Sequence, residues 1–129
     1  MKPCVLVADG DHKGRESLRR SLELRGYEVE TAGDGLECIS KIIARLPVMV
    51  VLDIDLLWGG AEGVLARLRD DRDMRSIRVI LTTDKDKPEE LAKLIKDPVV
   101  ACFRKPLRMK ALSHWLRQAE RRSLGAVAR

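Results

Sequence analysis

Five short apolar runs, each followed by a stretch of helical periodicity, divide this chain from end to end, and that alternation limits its fold more than any other feature. The central run, VMVVLD at Val48–Asp53, meets no polar residue until its last position. Strands of that kind are buried on both faces, as in parallel sheets covered by helices on either side. The other runs are Cys4–Ala8, Tyr27–Thr31, Ile77–Thr83 and Val99–Phe103. Parallel neighbours need crossover connections, and these are right-handed. The expected fold is therefore α/β, a doubly wound five-stranded parallel sheet, forming one domain over 1–122 with a basic, disordered tail over 123–129.

The helical stretches carry their own punctuation. Arg15–Arg25 places Leu18 and Leu22 one turn apart and stops at Gly26, a good C-terminal cap. Leu36, Ile39, Ile43 and Leu46 form a stripe that predicts an amphipathic helix over Gly35–Arg45, ended by Pro47. The turn-rich LLWGGA precedes a helix through Leu65, Leu68 and Arg69. Pro88 with Glu89 and Glu90 reads as the acidic first turn of a helix that fades near Lys96, and Met109–Arg122 reads as the last helix.

Composition removes several function classes. At 129 residues the chain can bury one core without staples, and its longest apolar stretch is far short of a membrane span. With no signal-peptide pattern at the N-terminus, a soluble, cytoplasmic protein without membrane partners is expected. Three widely spaced cysteines, Cys4, Cys38 and Cys102, fit neither a disulfide framework nor a zinc site and read as buried thiols. The net charge of +5 is concentrated in Arg104–Arg129, where eight Lys and Arg face one acid, Glu120. With few aromatics interleaved, that stretch reads as a solvated helix face rather than a nucleic-acid site.

In an open parallel sheet functional groups collect beyond the carboxyl ends of the strands. Those ends carry Asp9 and Asp11, then Asp53 and Asp55, then Thr83 and Asp84, then Lys105. Clustered carboxylates need a cation or a lysine to neutralise them. Mg²⁺ suits such hard oxygen ligands, while Lys105 and Thr83 suit the equatorial oxygens of a phosphoryl group in transfer. Asp53, ending the most buried strand, is the candidate nucleophile for an aspartyl phosphate.

The stretches VLVADGD, GYEVETAGDG, VVLDIDLL, VILTTD and FRKPL, in this order, resemble the receiver domain of two-component response regulators from about Cys4 to Ala119. The resemblance implies a flavodoxin-like (βα)5 fold with strand order 2-1-3-4-5. It also implies that Asp53 accepts phosphate from a sensor histidine kinase or phosphotransfer protein. Mg²⁺ would then be held by Asp9, Asp53 and the carbonyl of Asp55. Thr83 would be the switch hydroxyl, Lys105 would contact the phosphoryl group, and the Lys105–Pro106 bond would be cis. Such a domain is a self-catalysing phosphoacceptor switch in a phosphorelay rather than an enzyme in the ordinary sense. With no output domain recognisable after the last helix, its signal is expected to pass to a downstream protein, with a homodimer as one assembly it allows.

Several residues depart from the resemblance. Gly10 stands where the family places its second acid, a direct metal ligand, so weakened Mg²⁺ binding is expected. Asp11 either swings inward to compensate or N-caps the first helix. Asp84 adds negative charge where a small residue is usual, Cys102 replaces a switch aromatic, and Leu57 replaces a common proline beside the bulky, flexible Trp58-Gly59-Gly60. The alternative reading is a pseudo-receiver, a protein-binding module that works without phosphorylation. VVLDIDLL also resembles the nucleophile motif of haloacid dehalogenase-type phosphatases, but those enzymes carry it on an early strand, and here it falls on the third.

Overall fold

The computed structural model describes the backbone of residues 2–85 and 88–128, and the side chains of 2–85 and 91–123. Five parallel strands pair in the order β2-β1-β3-β4-β5, as expected. They are β1 (Cys4–Ala8), β2 (Glu28–Ala32), β3 (Met49–Asp53), β4 (Arg78–Thr83) and β5 (Val99–Arg104). Every residue of β3 and β4 is buried, which is why their sequences run apolar without alternation. Register places Asp53 beside Thr82 at the carboxyl end, and a shift between Val79 and Ile80 breaks the β4–β5 ladder.

Four α-helices cover the sheet: α1 (His12–Leu24), α2 (Gly35–Arg45), α3 (Gly60–Asp70) and α4 (Met109–Ala128). Leu18 and Leu22 of α1 share one core layer with Leu112, Leu116 and Ala119 of α4, over Val5, Val7, Val51 and Ile80. Cys38 and Ile42 of α2 pack with Val64, Leu65 and Leu68 of α3 on the other face, over Leu6, Val50, Leu52 and Leu81.

Four expectations need correction. The stripe chosen for α2 is not its buried face: Leu36, Ile43 and Leu46 are exposed, whereas Cys38 and Ile42 are buried. An apolar-rich helix offers two neighbouring stripes, and the way the chain leaves β2 selects between them. The segment after β4 is not an α-helix but a 3-10 turn, Pro88–Leu94. Its apolar residues Leu91 and Leu94 recur every three positions, which suits three residues per turn, and the segment is too short for a stable α-helix before Pro98. The last helix runs on to Ala128 instead of ending at Arg122, because the residues beyond Arg122 include no proline. Of the cysteines only Cys38 is fully buried, with Cys4 and Cys102 partly so.

The loop from β3 to α3 is fixed by a close approach. The Gly35 N–H donates to the Leu57 carbonyl at 2.7 Å, and a Cβ on Gly35 would lie 2.2 Å from the Trp58 carbonyl oxygen. Only glycine allows that contact. Trp58, Gly59 and Gly60 all adopt positive φ, so the loop turns sharply and leaves the Leu57 and Trp58 side chains in solvent.

Candidate functional site

The carboxyl ends of β1, β3 and β5 converge on one ammonium group. Lys105 Nζ lies 2.9 Å from Asp9 Oδ2 and 3.2 Å from Asp53 Oδ2. All three side chains are largely buried, at 18%, 14% and 11% exposure. Each group is also held by the backbone. Asp9 Oδ1 accepts from the Asp11 N–H at 2.8 Å, and Asp53 Oδ1 accepts from the Asp55 N–H at 3.1 Å, both Asx-type turns that the Asp-x-Asp spacing permits. The Lys105 N–H donates to the Thr83 carbonyl at 2.8 Å, tying the end of β5 to β4.

Two negative charges face one positive charge here. Burial raises the Asp53 carboxyl above its ordinary value, against the opposing pull of the Asp55 N–H and of Lys105, while Asp9 adds to the rise. Burial on its own would lower Lys105, but the bond to Asp9 and the charge of Asp53 outweigh it, and its ammonium is held above the ordinary lysine value. Asp53 is therefore a largely desolvated carboxylate, oriented through one oxygen and set beside a fixed cation, an arrangement that can serve nucleophilic attack.

The other expected residues fall into place unevenly. Thr83 is fully buried, and its hydroxyl accepts from the Lys85 N–H at 3.1 Å. Asp84 is exposed and lines, with Asp9, Asp11, Thr82 and Lys105, a cleft of about 320 Å³ between α1 and the turn after β5. Asp11 occupies the N-cap position of α1 but makes no side-chain cap bond. Its carboxylate lies over the first turn, 3.0 Å from where a Cβ on Gly14 would be, rather than beside Asp53. The Lys105–Pro106 bond is cis, as the resemblance implies.

For a divalent cation the donor set is sparse. Among the described residues no group of three or more His, Cys, Asp or Glu gathers to hold a metal. The two carboxylates, Asp9 and Asp53, still suit Mg²⁺, which commonly keeps several waters. One contributor went unnoticed in the sequence: Arg15, whose Nη1 donates to the Asp9 carbonyl at 2.8 Å and so braces the turn through Gly10. A cation four residues into a helix gives no sign of this in sequence. The cysteines stand apart from the site. Burial raises all three thiols, Cys38 to about 12, so none supplies a thiolate at neutral pH.

A doubly wound parallel sheet with an Asp–Lys–Asp cluster at its carboxyl end places the chain among α/β domains that carry their site at the strand ends. The response regulator receiver domain family matches residues 5–117, and the chain belongs to it. Receiver domains are signalling switches rather than classical enzymes, which sets the dehalogenase resemblance aside. Over 80 residues, 62% of its length, the chain is 41% identical to response regulator MprA of Mycobacterium sp. strain KMS. That match covers 35% of the relative, so the chain spans about a third of the curated relatives it matches. Among solved structures, a CheY-like receiver domain protein from Methanospirillum hungatei JF-1 superposes with TM-score 0.81 at 21% identity, over 97% of this chain and 99% of the other. Response regulator TrrA of Thermotoga maritima, in complex with Mg²⁺-BeF, superposes with TM-score 0.76 at 24% identity, over 92% and 99%. At these identities both show the fold alone. Among the described residues no helix is long and apolar enough to cross a membrane.

Proposed function

We propose that this chain is a phosphoacceptor switch in a cytoplasmic phosphorelay, with Asp53 as the acceptor. The donor is a phosphohistidine on a sensor histidine kinase or phosphotransfer protein. An Asp53 carboxylate oxygen forms the new O–P bond while the P–N bond breaks, and the imidazole leaves with the electron pair. Lys105 carries the positive charge that the transferring oxygens need, and Thr83 provides the hydroxyl that responds once they arrive. The observation that carries this reading is the Lys105 ammonium within 2.9 Å and 3.2 Å of the two strand-end carboxylates.

Mg²⁺ would be held by Asp9, Asp53 and the Asp55 carbonyl, and held weakly, because Gly10 offers no side-chain ligand. Once bound, it supplies further positive charge against the phosphoryl oxygens. The response regulator TrrA was solved in complex with Mg²⁺-BeF, which supports a divalent cation as the partner of this fold. Phosphorylation adds charge at the end of β3 and β4, and the change is read by a downstream protein.

The second reading, a pseudo-receiver, is favoured by Gly10 together with Asp84, whose carboxylate lines the cleft beside Lys105. Intact mass after incubation with acetyl phosphate, with and without Mg²⁺, separates the two. A single phosphoryl adduct on wild type that is missing from Asp53→Ala supports the switch. No adduct from acetyl phosphate or from phosphoramidate at any Mg²⁺ concentration favours the pseudo-receiver.

A further inference from the structure

Among the described residues nothing covers the outward face of α2. Leu36, Ser40, Ile43 and Ala44 lie at i, i+4, i+7 and i+8, on one side of the helix, and all four are exposed, Leu36 at 65% and Ile43 at 48%. The opposite side carries Cys38 and Ile42 into the core. Exposed Leu46 follows at the C-cap, and the loop that bears exposed Leu57 and Trp58 is hydrogen-bonded to the helix start at Gly35. No charge interrupts the stripe itself, and an exposed apolar patch rimmed by polar residues marks an interaction site.

The charges on its rim suit a second copy of the same helix. Glu37 and Lys41 stand together on one flank of the stripe, 3.0 Å apart, and the Lys41 ammonium also holds the Thr31 carbonyl. Arg45 turns away to Glu28 and Glu30 of β2. The other flank, at Ile39, carries no charge. When two such helices pack antiparallel about a two-fold axis, like flanks meet, and every contact occurs twice. An axis passing between Ile39 and Ser40 sets Leu36 opposite Ile43 of the partner subunit and Glu37 opposite Lys41 of the partner subunit. Ser40, beside that axis, is small enough to let the helices approach. A parallel pair would set the charged flank against the uncharged one and gain no ion pair.

We propose that the outward face of α2 is the contact surface of a homodimer, two copies packing antiparallel through Leu36, Ser40 and Ile43 with reciprocal Glu37–Lys41 bridges. One helix of 11 residues, ~16 Å long, covers less than the ~800 Å² per partner of a standard interface, so the dimer is weak, with a dissociation constant on the order of 100 μM. Nothing in the phosphoacceptor reading requires this dimer, and the two stand or fall separately.

The test is sedimentation equilibrium of the full chain from roughly 10 μM to 1 mM, with no phosphodonor present, and the expected result is a monomer–dimer equilibrium. Ile43→Gln, a change at an exposed position, should weaken it roughly tenfold, because the apolar contact is lost on both sides of the axis. Glu37→Lys and Lys41→Glu should each weaken it too, since like charges then meet. An equimolar mixture of those two variants should associate more tightly than either alone, because opposite charges face each other again at both crossings. The proposal is overturned if the chain stays monomeric at the highest concentration, or if Ile43→Gln associates as well as the wild type, which would place the contact on another face. It is equally overturned if the mixture gains nothing over its components, which would exclude the antiparallel pairing.

Discussion

Two buried cations lie at opposite ends of the same sheet, and their counter-ions are placed in opposite ways. Lys105 closes the carboxyl end between two carboxylates that are nearly as buried as it is. Arg78 opens β4 at the amino end with one carboxylate, and that one stands in solvent. The first pole keeps a surplus negative charge, so it gains from a further cation and pushes Asp53 towards reactivity. The second has its charge balanced by Asp97 and keeps one buried N–H, Arg78 Nε, without an acceptor. A buried ion pair by itself is therefore no guide to stability or function.

The largest expected effect comes from removing the shared ammonium. Lys105→Met leaves Asp9 and Asp53 facing each other without a counter-ion and should cost about 3 kcal/mol at neutral pH. Urea denaturation should show much of that loss recovered near pH ~4, where protonating one carboxyl ends the repulsion. Equal loss at both pH values would break the comparison. Arg78→Met should cost less, about 1–2 kcal/mol, because the carboxylate it abandons is solvated and an orphaned N–H disappears with it. A loss as large as that of Lys105→Met in the same denaturation assay would show that Asp97 matters more than its exposure suggests.

Gly10→Asp sharpens the contrast by adding charge to the pole that is already negative. Mg²⁺ affinity should rise about tenfold, since ligand charge sets affinity for hard cations, as read by Trp58 fluorescence or calorimetry without any phosphodonor. Unchanged affinity would mean that position 10 does not face the ion. The smallest effect is the pH dependence of the wild type. Because the Asp53 carboxyl is raised in the folded state, stability should fall as pH rises from its ordinary value of 3.8 through the raised one, and then level off. Because Lys105 is also raised, its contribution is complete below 10.5 and is lost as pH climbs through the higher folded value. Asp53→Asn should flatten the acid limb and also shrink the basic one, because the charge of Asp53 helps to hold Lys105 up, in denaturation measured across that range.

The strand ends were legible because the physics that creates them is local. An apolar run of five or six residues ending in Asp, Thr or Lys marks the rim of a parallel sheet, and Asp9, Asp53, Thr83 and Lys105 all lie there. The buried face of α2 was not legible. Leu36, Cys38, Ile39, Ile42 and Ile43 spread over an arc of roughly 160° of the helix, wide enough to hold two stripes, and periodicity cannot rank them. The Gly35 contact with the Trp58 carbonyl, which fixes how α2 meets the β3–α3 loop, joins residues 23 positions apart. Arg78 likewise reads as an ordinary polar strand start, and its pairing with Asp97 and the Arg75 carbonyl appears only in the folded chain.

The sequence by itself determined the five parallel strands, their order through the family resemblance, and the identity of the groups at their carboxyl ends, because period and chain connectivity are properties of neighbouring residues. Only the tertiary structure decided which carboxylates share Lys105, that Asp11 stays over α1, and that Arg78 keeps a buried Nε without an acceptor. Those outcomes turn on distances of a few ångströms between side chains brought together by packing, and no one-dimensional pattern encodes a distance across the sheet.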